Sequence, residues 1–370
     1  YEVAYAWFGD RRFAWILKQN YAAPARRRDS IEALLYGVDL PATDPAPDLT
    51  GCRLPAAGLT LLRSYEPPST QTTVLLKHGP HGGGHGHPDK LSLSFYLNGH
   101  PTSPDLGTPG YGIPLNDSWF RQSLSHNTVI VDGRSQPPAQ GMLATGSGTV
   151  ADVADAWVRW REGPYAGISM RRTILFGAGE DYFVDFVTIE ASRERRVDWI
   201  CRVDGALVEN AGLTPSEPVA TDGDGFEHVD AASFFVAEPA PGDSCPHLDW
   251  RLLQGHLSLF LPFEQGTTLI HGRVPHNPTS GFSDILLRRR MAKQTTYVAL
   301  FHGWQKKRRI AHVSRCTTED ALAFFVHLED GERHLVILST TKRTSIPGEA
   351  EADCVLSYVR DSPAYQESAA

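Results

Sequence analysis

The sequence is short of the devices that stabilise small secreted domains or carry a chain into a membrane. Its five cysteines, Cys52, Cys201, Cys245, Cys316 and Cys354, are odd in number, widely scattered and form no C-x-x-C pair. That argues against a disulfide framework and against a thiolate metal cluster. No window approaches the roughly 18 apolar residues of a membrane-spanning helix. Positive charge is scarce too: 35 Lys and Arg against 43 Asp and Glu leave a formal net charge of -8. No sequence-wide field therefore exists to draw nucleic acid or an anionic membrane. An anionic substrate has to be met by a local basic pocket. There is no G-x-S-x-G nucleophile elbow, no paired-carboxylate signature and no internal repeat. The opening YEVAYAWFGDRRFAW has neither a basic n-region nor a continuous apolar run, so it does not read as a signal peptide. The chain also starts without methionine and inside an amphipathic pattern, as expected of a fragment or mature piece. The compartment stays open between periplasmic or secreted and cytoplasmic.

What is present is a globular composition, 41% hydrophobic and 21% charged over 370 residues, enough for one large all-β domain or two ordinary ones. From Tyr1 to Asn20 the residues Ala4, Phe8, Phe13, Ile16 and Leu17 recur at helical spacing, and Asp29-Ser-Ile-Glu32 reads as a capping box opening a second helix to Leu35 or Tyr36. Two such helices cannot bury their own apolar faces. The stretch VDLPATDPAPDLTGCRLP, with four prolines and little periodicity, is the best domain boundary. Beyond it lie short β-branched or aromatic segments between Gly, Pro, Asp and Asn turns, among them 72–76, 91–97, 128–131, 156–160, 169–176, 182–189, 197–203, 257–261, 284–289, 296–301, 310–313, 322–328 and 334–339. The fold class predicted is mainly β, a large antiparallel β-sandwich of two stacked sheets. The organisation predicted is a helical segment 1–37, a linker 38–60, the sandwich 61–345 and a C-terminal strand and tail 346–370.

The most informative run is His78-Gly-Pro-His81-Gly-Gly-Gly-His85-Gly-His87-Pro-Asp89, in which four histidines sit among seven glycines and prolines ahead of a strand. In a locally extended chain the rings of His85 and His87 project to one side, and the glycines let backbone approach a ligand closely. Downstream come Asp105 and His126, each at a strand or loop edge. Two imidazoles and one carboxylate suit zinc. These residues are far apart along the chain, so the spacing leaves two readings open, a metal site or solvated, hydrogen-bonded histidines.

The segments HGPHGGGHGHPDKLSLSFYLNG and DLGTPGYGIPLNDSWFRQSLSHNTVIVDGRSQ resemble the H-x-H-x-D, D-x-G and H-N-T-x-x-V-D-G elements of the heparinase II/III superfamily, nearest in look to oligoalginate lyases. The resemblance is strong from His78 to Gln136 and weaker from Tyr1 to about Leu338. It implies an (α/α) toroid joined to an antiparallel β-sandwich, with the opening helices as the toroid's last. It implies cleavage of uronate glycosides by β-elimination, alginate-type ahead of heparin or heparan. It places His87, Asp105 and His126 on the ligands of a structural zinc, His85 on a substrate-facing catalytic histidine and Tyr111 on a catalytic-cleft tyrosine. Arg121 falls where a cation meets the substrate carboxylate. One departure stands out: where relatives often carry a histidine, this chain reads Val197-Asp-Trp-Ile-Cys-Arg202. The toroid's asparagine, histidine and tyrosine have no counterpart here, so the resemblance implies a chain that folds and binds metal alone yet is nearly inactive. Two further readings compete: a non-catalytic, metal-containing carbohydrate-binding sandwich, and a metal-dependent hydrolase.

Overall fold

The computed structural model describes residues 1–22, 27–42, 51–64, 69–144, 153–176, 180–237, 244–316, 321–346 and 349–361. Residues 43–50 of the expected linker and 362–370 of the expected tail lie outside them. The chain divides into two units, Tyr1–Thr50 and Gly51–Ala370.

The first unit holds the helices Glu2–Phe8, Arg11–Ala22 and Ile31–Tyr36. The single helix expected over the first twenty residues is broken in two. Gly9 adopts φ +62, a left-handed conformation cheap only for glycine, and its N–H closes on Tyr5 O. Asp10 then accepts from the Arg12 backbone N–H at 2.9 Å and starts the next helix. Ser30, rather than Asp29, caps the third: its Oγ accepts from Ala33 N at 3.2 Å. The Arg28 guanidinium grips buried Glu2 with two bonds of 2.7 Å, joined by the Tyr21 hydroxyl at 3.0 Å. Trp7, Phe8, Ile31, Leu34 and Leu35 stay exposed.

The second unit is the mainly β, antiparallel architecture expected, with three sheets rather than two. Cys52–Leu54, Leu59–Arg63, Thr73–Lys77, Ser92–Leu97 and His100–Ser103 form a five-stranded sheet in chain order. Its first strand falls in the stretch that reads as linker, and its second straddles the expected boundary at residue 60. A twelve-stranded sheet is built around two long partners, Tyr182–Val203 and Phe282–Trp304. Ile310–Cys316, Ala321–Leu328, Arg333–Ile346 and Glu349–Asp361 make a four-stranded sheet, again in chain order. The third sheet follows from the composition of the long strands. Tyr182-Phe-Val-Asp-Phe-Val187 is apolar at almost every position, and alternation sends Phe183 and Val187 to one face and Tyr182, Val184 and Phe186 to the other. Phe183 stacks on Phe301 at 4.5 Å, with Phe95 of the five-stranded sheet against both. Val184, Phe186 and Leu300 pack with Phe324, Val326 and Val336 of the four-stranded sheet.

The polar run Glu190–Arg196, which reads as a turn between two strands, is instead carried within one strand, with a register shift between Glu190 and Arg195. Two of its charges are paired, Arg195 with Asp132 at 2.5 Å and Arg196 with Asp222 at 2.6 Å. The short strand Val129–Val131 pairs with Val197–Trp199 of the same long strand. That pairing fixes the segment carrying His126 to the centre of the sheet.

Candidate active site

The glycine-rich run leaves the strand Thr73–Lys77 and returns into Ser92–Leu97. His78 anchors its start: it is buried, with Nε2 3.2 Å from Thr60 Oγ1. Beside it Gly58, at φ +68, passes so close that a Cβ there would lie 2.0 Å from Gly79 Cα. His78 is thus a packed histidine, and burial keeps its imidazole below the ordinary value, so it stays neutral.

Further along, a one-turn 3₁₀ helix over Gly83–His85 breaks the extended alternation expected of the H-x-H pair. The two rings therefore meet different partners. His85 is exposed, and its Nδ1 lies 2.6 Å from the Tyr111 hydroxyl, ring edge to ring face. The half-buried His87 ring instead sits 5.4 Å from that of His126. Burial, with His126 beside it, holds His87 below the usual imidazole range, which favours the neutral, ligand-competent form. Gly86 between them can be nothing else, since a Cβ there would stand 1.8 Å from His81 O. Gly86→Ala is therefore expected to displace His85 by about 1 Å and to slow any turnover that depends on His85 by about 100-fold. The chain should still unfold cooperatively; kinetics beside a thermal melt separate the two effects.

The structure brings Asp105 and His126 together. His126 is buried, its Nδ1 is 3.3 Å from Asp105 Oδ2, and its Nε2 is buried with no partner among the described residues. Asp105 Oδ1 also accepts from Gly107 N at 2.8 Å. The surrounding protein atoms work against ionisation of the partly exposed Asp105, yet the His126 imidazole and the Gly107 N–H hold it below the usual carboxylate range. The residue that joins this pair most tightly is Asp89: ligand atoms of Asp89, Asp105 and His126 all lie within 4.8 Å of one another. His87, expected in that place, stands alongside. Asp89 is flanked by cations, with Lys77 Nζ on Oδ2 and the buried Lys90 Nζ 3.4 Å from Oδ1. Lys90 also donates to Pro80 O at 3.1 Å, and burial lowers its ammonium below the normal lysine value.

Arg121 lies against the glycine-rich run, with Nη2 donating to Gly84 O at 3.3 Å. Asn127, next to His126, donates to Leu93 O at 2.8 Å and Ser103 Oγ at 2.7 Å while accepting from Arg202 N at 2.7 Å. Arg202, which ends the Val197-Asp-Trp-Ile-Cys-Arg202 segment, is buried and donates to Pro104 O, directly before Asp105. Asp89, Lys77, Lys90, Asn127 and Arg202 join the site without having been expected from the motifs. Asp89-Lys90, a charged pair at the mouth of the apolar strand, was a usable signal. The Arg202 to Pro104 link is purely tertiary and left none.

A family model described as heparinase II/III-like, C-terminal, matches residues 47–236. An alginate lyase of Stenotrophomonas maltophilia is 28% identical over 200 residues, covering 46% of this chain and 26% of that protein. A heparin-sulfate lyase of Pedobacter heparinus is 26% identical over 211 residues, covering 53% of this chain and 30% of the other. Among solved structures, a heparan sulfate lyase mutant from Pedobacter heparinus overlays 89% of this chain on 48% of its own, with a TM-score of 0.58 at 16% identity. A heparinase III overlays 88% on 48% with a TM-score of 0.57 at 15% identity. These overlays show a shared fold. The matched region is less than a third of the curated relatives' length, and the chain spans about half of the solved structures.

Proposed function

The chain belongs to the heparinase II/III-like C-terminal family, and from that premise we propose that it is the sandwich module of a polysaccharide lyase acting on uronate-containing glycans, alginate-type first, by β-elimination. The observation that carries this reading is the exposed His85–Tyr111 pair at 2.6 Å, one residue of backbone away from the His87, Asp105 and His126 group. Elimination removes the proton at C5 of a uronate and expels the oxygen at C4. Negative charge then builds beside a carboxylate, so donors must already face it. With Nδ1 engaged by the Tyr111 hydroxyl, His85 keeps Nε2 for that carboxylate, and Arg121, which reaches Gly84 O next to His85, adds a cation. Tyr111 lines the subsite and shares a proton with His85. The main base and acid come from a helical domain beyond these residues, so this chain alone binds oligosaccharide without turning it over.

The residues also fit one structural zinc: the orphaned His126 Nε2, the neutral His87 and the ionised Asp105 form a nitrogen and oxygen donor set suited to it. Asp89 belongs to the clamp instead, because both of its oxygens already face ammonium groups. When bound, the zinc supplies a fixed cross-link that holds the loop bearing His85. Metal analysis of purified variants tests this. His87→Ala, Asp105→Ala and His126→Ala are expected to lose the metal and Asp89→Asn to keep it. The reverse pattern at 87 and 89 would reassign the third ligand. Chelation should lower stability by about 4 kcal/mol relative to metal at a thousandfold excess over Kd.

A further inference from the structure

The turn between the strands Thr268–Pro275 and Phe282–Trp304 is seated on the loop that leads from Asp105 to Tyr111. Asn277 Nδ2 donates to Leu106 O at 2.8 Å and Thr108 O at 3.3 Å, and Trp119 Nε1 donates to Pro275 O at 3.0 Å. His276 stands at the start of this turn, its backbone N–H fixed to Gly281 O at 3.0 Å. Its Nδ1 lies 3.1 Å from Ser283 Oγ and 3.5 Å from Asp204 Oδ1.

Hydrogen bookkeeping around Ser283 decides which nitrogen of the neutral ring carries its proton. Ser283 Oγ has one proton, and the 2.6 Å contact to the Asp204 carboxylate takes it. Arg202 Nη1, a donor only, occupies one acceptor direction of Oγ at 3.1 Å. The contact to His276 can then only be Nδ1–H donating to Oγ. Such a tautomer leaves Nε2 with a bare lone pair, and Nε2 has no hydrogen-bond partner among the described residues and is not among the buried unpaired atoms. Three polar residues, one of them the buried Arg202 that also ties down Pro104, thus hold one imidazole in a single orientation beside the substrate loop.

We infer that His276 is a further substrate-contacting residue of the cleft, presenting Nε2 as the acceptor for a sugar hydroxyl of the bound acidic glycan. This rests on the lyase reading. A lone pair there selects a hydroxyl and repels a carboxylate, so His276 reads a different group from the one His85 meets, and its contribution falls on binding rather than on the chemical step.

Imidazole nitrogen NMR of this chain, titrated with a uronate trisaccharide at neutral pH, tests the inference. The expected result is a protonated Nδ1 and bare Nε2 at His276 in the free protein, with saturable shifts of both His276 Nε2 and the His85 ring as sugar is added. A protonated Nε2, or shifts at His85 while His276 stays still, overturns the inference and leaves the lyase reading standing. Silence at both rings removes the reading and the inference with it. In the natural protein, His276→Ala is expected to raise KM about tenfold, the scale of one neutral hydrogen bond, with kcat within about twofold. Ser283→Ala should do the same more weakly, and Ser283→Thr should restore the wild-type KM. A fall in kcat with unchanged KM would contradict the assignment.

Discussion

Replacing Tyr111 with phenylalanine is expected to lower kcat for the proposed elimination by about 100-fold, the scale of leaving a catalytic group misplaced by 1 Å. The substitution removes one oxygen and keeps the ring. Tyr111 is 68% exposed, so the fold has little to lose. What disappears is the partner of His85 Nδ1, and with it the fixed tautomer and direction of the imidazole that faces the substrate carboxylate. Because the two side chains act as a unit, the Tyr111→Phe, His85→Ala double variant should be little worse than the poorer single variant. Steady-state kinetics of the three proteins check this. Multiplicative losses would mean that the 2.6 Å contact is incidental.

The largest expected effect on stability lies beneath the site, at Arg172. This guanidinium is fully buried and meets Asp185 with two bonds, Nε to Oδ1 at 2.8 Å and Nη2 to Oδ2 at 2.7 Å. Its Nη1 donates to Leu91 O at 2.7 Å and to Asn127 O at 2.5 Å. One side chain therefore ties the long strand to the residue after Lys90 and to the residue after His126. Arg172→Met leaves the buried Asp185, among the described residues, with only Trp199 Nε1 at 3.2 Å and strips both carbonyls of a donor. Removing one partner of a buried pair costs about 3–5 kcal/mol. Denaturant unfolding should show that loss, and Arg172→Met combined with Asp185→Leu should recover part of it, since the uncompensated charge is then gone. A loss below about 1 kcal/mol would mean that water reaches Asp185 after all.

Some of this was legible in the sequence and some was not, for physical reasons. Short runs such as Ser92–Leu97 and Ile168–Phe176 announced themselves through β-branched and aromatic residues between turn residues. The two long strands did not, because charged residues at a bulge mimic a turn until their tertiary ion partners are known. The third sheet goes beyond the two expected, although the run at 182–187, apolar on both faces, needs cover on each. At the site, His85, Tyr111, Asp105 and His126 stood out by motif, and the structure makes two contacts of them, His85 with Tyr111 and Asp105 with His126. The clamp of Lys77, Asp89 and Lys90 escaped notice because its geometry joins a strand end to a loop. His276 carried no motif at all; its interest lies in who holds its Nδ1.

The most direct test of the central claim is spectroscopic. The natural protein, incubated with alginate, oligoalginate and heparan sulfate, is expected to generate the ultraviolet absorbance of a C4–C5 unsaturated uronate on at least one of them, and its Tyr111→Phe variant to generate almost none. Oligosaccharide binding with no such absorbance from any of the three would make this module a binding domain and contradict the lyase assignment.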